Sequence, residues 1–138
     1  MIDIFNQNIA FPQIDRELAS SWISQIIRLH DKEEGDLVFV FCSDQYLLEI
    51  NREYLHHDYF TDIITFNYNQ ENVVSGDIFI SLDTVGVNAE EYQVSFLNEL
   101  HRVMIHGILH LIGFDDKTDD QKKIMREKEN DALNIFHF

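Results

Sequence analysis

Residues 106–116 read His-Gly-Ile-Leu-His-Leu-Ile-Gly-Phe-Asp-Asp and place two histidines four positions apart in an apolar run. On a helix this spacing puts both imidazoles on one face, one turn apart, where they can hold one metal ion. Gly113 predicts the end of the helix, because glycine readily adopts the left-handed conformation that terminates one. The returning chain presents Asp115 and Asp116, and either can supply a third, oxygen ligand. Two histidines and one carboxylate leave a coordination position open, as a catalytic metal site requires.

The spacing of His106, His110, Gly113 and Asp116 matches that of the metzincin proteases, H-E-x-x-H-x-x-G-x-x-H, with Asp in place of the last His. Those proteases need a glutamate directly after the first histidine as general base, and here that residue is Gly107. A zinc metallopeptidase is therefore disfavoured. A bound metal can still polarise a phosphoryl oxygen, so phosphodiester cleavage stays open, and RNA also carries its own 2′-hydroxyl nucleophile.

Length predicts one domain spanning residues 1–138, and the metal motif indicates that this domain is metal-dependent and hydrolase-like. The chain is 45% hydrophobic with eleven phenylalanines, enough for a substantial core. A lone Cys42 excludes an internal disulfide and fits a reducing compartment. Residues 1–13 contain neither a basic region nor a long apolar core, so we expect a cytoplasmic protein without a signal peptide or membrane span. The net charge of −15 argues against an extended basic face and favours a cation binder or a protein that docks on a basic partner.

Hydrophobic periodicity predicts interspersed strands and helices, which is typical of the α+β class. The predicted strands are 2–5, 37–42, 62–68 and 77–82, the last two forming a hairpin. One helix begins near Asp15 and is expected to stop at Gly35. Four more follow: from Asp44 to about Tyr54, from Asp83 or Thr84 to about Tyr92, from Ser95 through the histidines, and from Thr118. The histidine helix is predicted to bury Leu97, Leu100, Met104, Ile108 and Leu111. Ile124, Lys128 and Ala132 mark one face of the last helix, where the stem of Lys128 can lie over apolar surface.

These motifs resemble those of the YbeY family of bacterial endoribonucleases and rRNA maturation factors. That family carries H-G-x-L-H-L-x-G-Y-D-H, and this chain differs from it at Phe114 and Asp116. The stretch Gly76–Ser81 resembles the family's G-D-I-x-I-S. The stretch Tyr54–Phe66 resembles Y-R-x-x-D-x-P-T-D-V-L-S-F, with Tyr54, Asp58, Thr61, Asp62 and Phe66 in common. The resemblance runs from about residue 37 to the end of the chain.

The resemblance implies a compact α+β domain with a mixed sheet of about four strands and about five helices. It also implies one zinc ion per chain, or another divalent metal, held by His106, His110 and Asp116. The implied activity is cleavage of single-stranded RNA in maturation of the 16S rRNA 3′ end and in ribosome quality control. The expected partners are rRNA, ribosomal particles or a basic ribosomal protein.

Two departures from the family pattern bear on activity. Asp116 replaces a histidine ligand, which adds negative charge to the metal site. Leu55 stands where the family has an arginine suited to a scissile phosphate, so Arg52 and Arg102 are the candidates for that role. The alternative function is a non-catalytic ribosome assembly factor with a structural metal.

Two other sets of side chains are interpreted as ordinary surface. His56 and His57 lie in the loop 55–61, where adjacent histidines point apart. Half of the ten basic residues follow the metal motif and could form a positive rim for a phosphate backbone. They alternate with acids, which is more typical of a solvated helix face; they are Lys117, Lys122, Lys123, Arg126 and Lys128.

Overall fold

A mixed four-stranded sheet with five helices makes up the computed structural model, which describes residues 1–135. The last three residues of the predicted domain, 136–138, lie outside that range. The elements in chain order are β1 (Ile2–Gln7), α1 (Arg16–Leu29), β2 (Glu33–Cys42), α2 (Asp44–Leu55), β3 (Ile63–Asn67), β4 (Val73–Ser81), α3 (Leu82–Glu91), α4 (Phe96–Ile112) and α5 (Asp119–Leu133). The predicted α+β class is confirmed.

The strand order is β1-β2-β4-β3. Strand β1 pairs with β2 and β2 with β4 in parallel, while β3 is antiparallel to β4 at the sheet edge. The predicted hairpin of the last two strands is therefore confirmed. Asp62 lies directly before this edge strand, and it lines the same cavity as His106 of the histidine helix.

Two apolar clusters form the core. The larger packs α1 and α4 against the sheet around Trp22, Phe39 and Phe41, none of which is exposed. The smaller joins α2 to the sheet through Leu47 and Cys42. Burial raises the pKa of the Cys42 thiol to about 12, so this side chain remains protonated and is not a nucleophile at neutral pH.

Three helices start where the sequence predicts, at the N-caps Asp15, Ser95 and Thr118. Three other helix boundaries differ from the prediction. The hydroxyl of Ser43 caps α2, one residue before the expected Asp44. The hydroxyl of Ser81 caps α3, before the expected Asp83 or Thr84. Helix α1 ends at Leu29, well before Gly35, because His30 caps it and the chain then turns with φ of 59° at Asp31. Gly35 instead lies within β2.

Two predicted core positions are exposed. Leu97 is 37% exposed and lines a surface groove with Ile9 and Phe11. Ile124 is 46% exposed, because the buried face of α5 consists of Met125, Glu129 and Ala132. Of the predicted face, Ala132 is buried and Lys128 is half-buried, so the prediction for α5 is wrong at Ile124.

No helix within residues 1–135 combines the length and apolar character needed to cross a bilayer.

Candidate metal centre

Helix α4 and the turn after it build the centre. Ser95 caps the helix start by accepting a hydrogen bond from the Asn98 backbone N–H. Gly113 ends the helix with φ of 128°, a conformation that is strained for any residue with a Cβ. The Gly113 N–H donates to backbone carbonyls of the last helical turn, and the chain reverses. This reversal carries Asp116 back over the histidine face of α4.

Three donor atoms converge at this reversal. The Nε2 atoms of His106 and His110 are 3.0 Å apart, and Oδ2 of Asp116 lies 3.2 Å from the first and 3.4 Å from the second. Four ligand atoms around a tetrahedral zinc, each about 2.0–2.1 Å from the ion, are separated by about 3.3 Å. The observed triangle has edges of this length, so the three side chains fit such an ion. The neighbouring Asp115 is exposed and is not part of the group.

Glu129 supports the first histidine from behind. Its Oε2 accepts a hydrogen bond from His106 Nδ1 at 2.6 Å, which leaves Nε2 directed at the centre. Its Oε1 accepts a hydrogen bond from Arg102 Nη1 at 3.1 Å. A carboxylate that receives the second ring N–H of a metal-binding histidine fixes the orientation and tautomer of the ring. Glu129 is only 5% exposed, so this contact lies largely out of water.

The carboxylate and the imidazole stabilise each other's charged form. Burial alone would lower the pKa of His106, but the hydrogen bond to Glu129 and the charges of Glu129, Asp116 and Asp62 raise it above its usual value. Burial would raise the pKa of Glu129, yet His106 and Arg102 hold it below its usual range. The carboxylate of Glu129 is therefore ionised and ready to accept the His106 N–H.

The structure also shows why residue 107 is a glycine. A Cβ at Gly107 would lie 2.9 Å from Ile63 Cδ1 and 3.1 Å from Ile78 Cγ2, because α4 packs closely on the sheet here. The position after the first histidine therefore faces the apolar core and has no room for a carboxylate. This geometry, together with the missing glutamate, excludes the metzincin type of general base.

The two arginine candidates lie in different surroundings. Arg102 is brought to the centre, where it lines the same cavity as His106 and contacts Glu129 and Asn130. Arg52 forms an ion pair with Asp58 and is not among the residues lining that cavity. Leu55, at the end of α2, is 37% exposed.

The loop histidines follow the surface interpretation. His56 and His57 are exposed and line a separate surface depression with Arg52. The predicted metal ligands remain His106, His110 and Asp116, and neither loop histidine belongs to the donor group that the described residues form there.

Sequence reasoning missed several polar residues of this region. Glu129 is buried rather than part of the predicted solvated face, and no local signal distinguishes it from the other acids of α5. Asp62 was noticed only as a shared motif position; burial raises its pKa despite the nearby charge of His106. Arg126 was likewise assigned to solvent, yet it lines the cavity beside His106.

Comparison with known proteins gives a consistent picture. A family profile described as Endoribonuclease YbeY matches residues 3–137. The chain is 49% identical over 134 residues to Endoribonuclease YbeY of Parabacteroides distasonis, covering 97% of this chain and 94% of that protein. It is 44% identical over 133 residues to Endoribonuclease YbeY of Flavobacterium psychrophilum, covering 96% and 95%. The solution structure of TM1509 from Thermotoga maritima superposes with a TM-score of 0.67 at 26% identity, covering 98% of this chain and 91% of that one.

The fold and site define a class: an α+β domain whose long helix and following turn present two histidines and a carboxylate suited to one metal ion. Within that class the identification is specific. The chain belongs to the YbeY endoribonuclease family.

Proposed function

We propose that this protein is a metal-dependent endoribonuclease that cleaves single-stranded RNA in maturation of the 16S rRNA 3′ end and in ribosome quality control. The observation that carries the proposal is the triangle of donor atoms from His106, His110 and Asp116, with edges of 3.0, 3.2 and 3.4 Å. Membership of the YbeY endoribonuclease family supports RNA as the substrate.

The resident metal is proposed to be one zinc ion per chain, held by these three side chains. Two imidazoles and a carboxylate are a ligand set that zinc accepts in hydrolases, and manganese is the alternative that a carboxylate favours. When bound, such an ion supplies Lewis-acid chemistry, because it polarises a phosphoryl oxygen and lowers the pKa of a coordinated water.

The remaining residues of the site orient these groups. Glu129 holds the His106 ring through Nδ1, so that Nε2 keeps its lone pair towards the centre. Arg102 keeps Glu129 in place and adds positive charge beside the site. The family arginine is absent at Leu55, so Arg102 is the better placed of the two predicted phosphate partners, since it shares a cavity with His106.

The first experiment is metal analysis beside an RNA cleavage assay. We expect about one zinc per purified chain, lost in His106→Ala and Asp116→Ala and retained in the control Asp115→Ala, whose side chain is exposed. Zinc retained by Asp116→Ala but lost by Asp115→Ala would assign the third ligand to Asp115.

The cleavage assay separates the enzyme from the assembly factor. Chelation is expected to abolish cleavage of single-stranded RNA, and added zinc or manganese to restore it. If chelation lowers only the stability of the protein and no cleavage is found with any divalent metal, the metal is structural and the protein acts as a non-catalytic assembly factor.

The partners proposed are rRNA and ribosomal particles in the cytoplasm. The net charge of −15 opposes close approach to the bulk of an RNA backbone. A basic ribosomal protein would provide the complementary docking surface. Retention on ribosomal particles should then weaken as salt screens the charge pairing.

A further inference from the structure

A cavity of about 150 Å³ lies directly beside the metal centre and is not needed to hold the ion. It is lined by the end of α3, the middle of α4, the middle and second half of α5 and the residue before β3. His106 forms the shared wall between this cavity and the donor triangle. The lining also includes Asp62, Asn88, Tyr92, Val103 and Arg126.

The size and lining of this cavity suit one flat, polar-edged ring. The pocket is partly open to solvent, and its volume of about 150 Å³ equals that of an engineered cavity that admits one benzene ring. Val103 is buried and gives an apolar surface, while the Tyr92 ring is 53% exposed and available for stacking. Asn88 offers both a hydrogen-bond donor and an acceptor, Asp62 an acceptor and Arg126 donors.

Electrostatics favour a neutral ring over an additional phosphate at this position. Asp62, Glu99 and Glu129 line the cavity together with two arginines. Arg102 is engaged by Glu129 and Asn130, so much of its hydrogen-bonding capacity is already used. Arg126 is more accessible, with a side chain that is 54% exposed and 3.8 Å from Glu129. The cavity therefore contains polar groups of both signs, whereas a phosphate subsite would need an excess of cations.

We propose that this cavity is a nucleobase pocket, which takes one unpaired base of the RNA next to the bond that is cleaved. The inference rests on the proposed function and adds a physical reason for acting on single strands. A base in a duplex has its edge paired and its faces stacked, so it cannot enter, whereas an unpaired base can stack on Tyr92 and present its edge to Asn88 and Asp62. Arg126 at the rim then meets the adjoining phosphate.

The test compares Tyr92→Ala and Asn88→Ala with Tyr59→Ala, a control tyrosine of similar exposure, 55%, in the loop before β3. The probe is a fluorescein-labelled single-stranded RNA 12-mer. The quantities to measure are KM and kcat for its cleavage, and its Kd by fluorescence anisotropy in the presence of a metal chelator, which prevents cleavage. Base stacking on an aromatic side chain predicts about a tenfold rise in KM and Kd for Tyr92→Ala, with kcat changed far less. Tyr59→Ala should match the parent protein.

A second measurement distinguishes the outcomes. A set of twelve 12-mers, each lacking the base at one position, should show a loss of affinity for the parent protein at one of these positions. That loss should vanish in Tyr92→Ala. Equal KM and Kd in all three variants and the parent protein, with cleavage intact, would overturn the nucleobase pocket and leave the endoribonuclease standing. Absence of cleavage in the parent protein with any divalent metal would instead overturn the proposed function itself.

Discussion

At the scale of single residues, Glu129 supports the candidate metal site although it is not one of the proposed ligands. It connects His106 on α4 to Arg102 one turn earlier on the same helix, and it does so from α5. Replacing it with glutamine keeps an acceptor for the His106 N–H but removes the charge that makes the imidazole a stronger ligand. We therefore expect Glu129→Gln to bind zinc about 10–100-fold more weakly, measured by isothermal titration calorimetry.

The matched control is Glu127→Gln, which removes the same charge from an exposed position on the same helix. It should leave zinc affinity unchanged. Equal affinity in Glu129→Gln and the parent protein, with both folded by circular dichroism, would mean that the His106 ring is oriented by its packing alone.

At the scale of elements, the closeness of α4 to the sheet sets the height of the histidines above it. Gly107 makes this approach possible, since a Cβ there would lie 2.9 Å from Ile63. We expect Gly107→Val to destabilise the fold by about 2 kcal/mol in urea unfolding, through overpacking.

Gly86→Ala on α3 is the opposite case: its added Cβ meets only Phe96 Cε2 at 4.0 Å, so stability should rise by about 0.5–1 kcal/mol. A loss of stability in Gly86→Ala would contradict this account.

The element scale also shows what the sequence predicted and what it did not. The histidine helix, its Ser95 cap and its stop at Gly113 were readable because each rests on local chemistry, namely spacing, capping and a left-handed turn. The full buried face of α5 was not readable, although its Ala132 was predicted. Its buried face contains Glu129, whose burial makes sense only with His106 and Arg102 beside it, more than twenty residues away in sequence. Tertiary pairing of charges therefore hid the candidate site's supporting residue.

The cavity beside the centre was equally beyond local reasoning. It takes residues from α3, α4, α5 and the loop before β3, and of these only His106 and Asp62 belong to a motif that the sequence shows. Sequence spacing places side chains relative to their own element, and only the packing of four elements brings Tyr92 and Arg126 to the same opening.

At the scale of the whole molecule, a buried histidine links stability to pH. His101 is 3% exposed and stacks edge-on against Trp22, and burial lowers its pKa from 6.5 to about 4. Below pH 6.5 the unfolded chain binds a proton that the folded chain does not, so stability falls as the pH drops from about 6.5 to 4. This difference is worth about 3 kcal/mol.

Urea unfolding at several pH values checks this prediction. The slope of stability against pH across that window should flatten in His101→Phe, which keeps an aromatic ring next to Trp22. It should be unchanged in His57→Asn, a loop position that is exposed. An unchanged slope in His101→Phe would assign the acid sensitivity to the carboxylates instead.

The overall charge determines how RNA binding responds to salt. A protein that neutralises several phosphates loses affinity steeply with added salt, with a slope of about −0.7 in log K per phosphate on a single strand. Here the net charge is −15, and the proposed contacts are one base and one or two phosphates near Arg126 and Arg102. Screening also relieves long-range repulsion between the protein and RNA, which acts in the opposite direction.

We therefore expect a shallow slope, about −1 or flatter, for a labelled single-stranded RNA between about 50 and 200 mM KCl, measured by anisotropy. Arg126→Gln should flatten it further, and Lys123→Gln, an exposed neighbour on α5, should not. A slope near −4 would mean that about six phosphates are neutralised, which contradicts a contact limited to Arg126 and Arg102. With a shallow slope for RNA, the proposed docking on a basic ribosomal protein should show the stronger salt dependence of the two interactions.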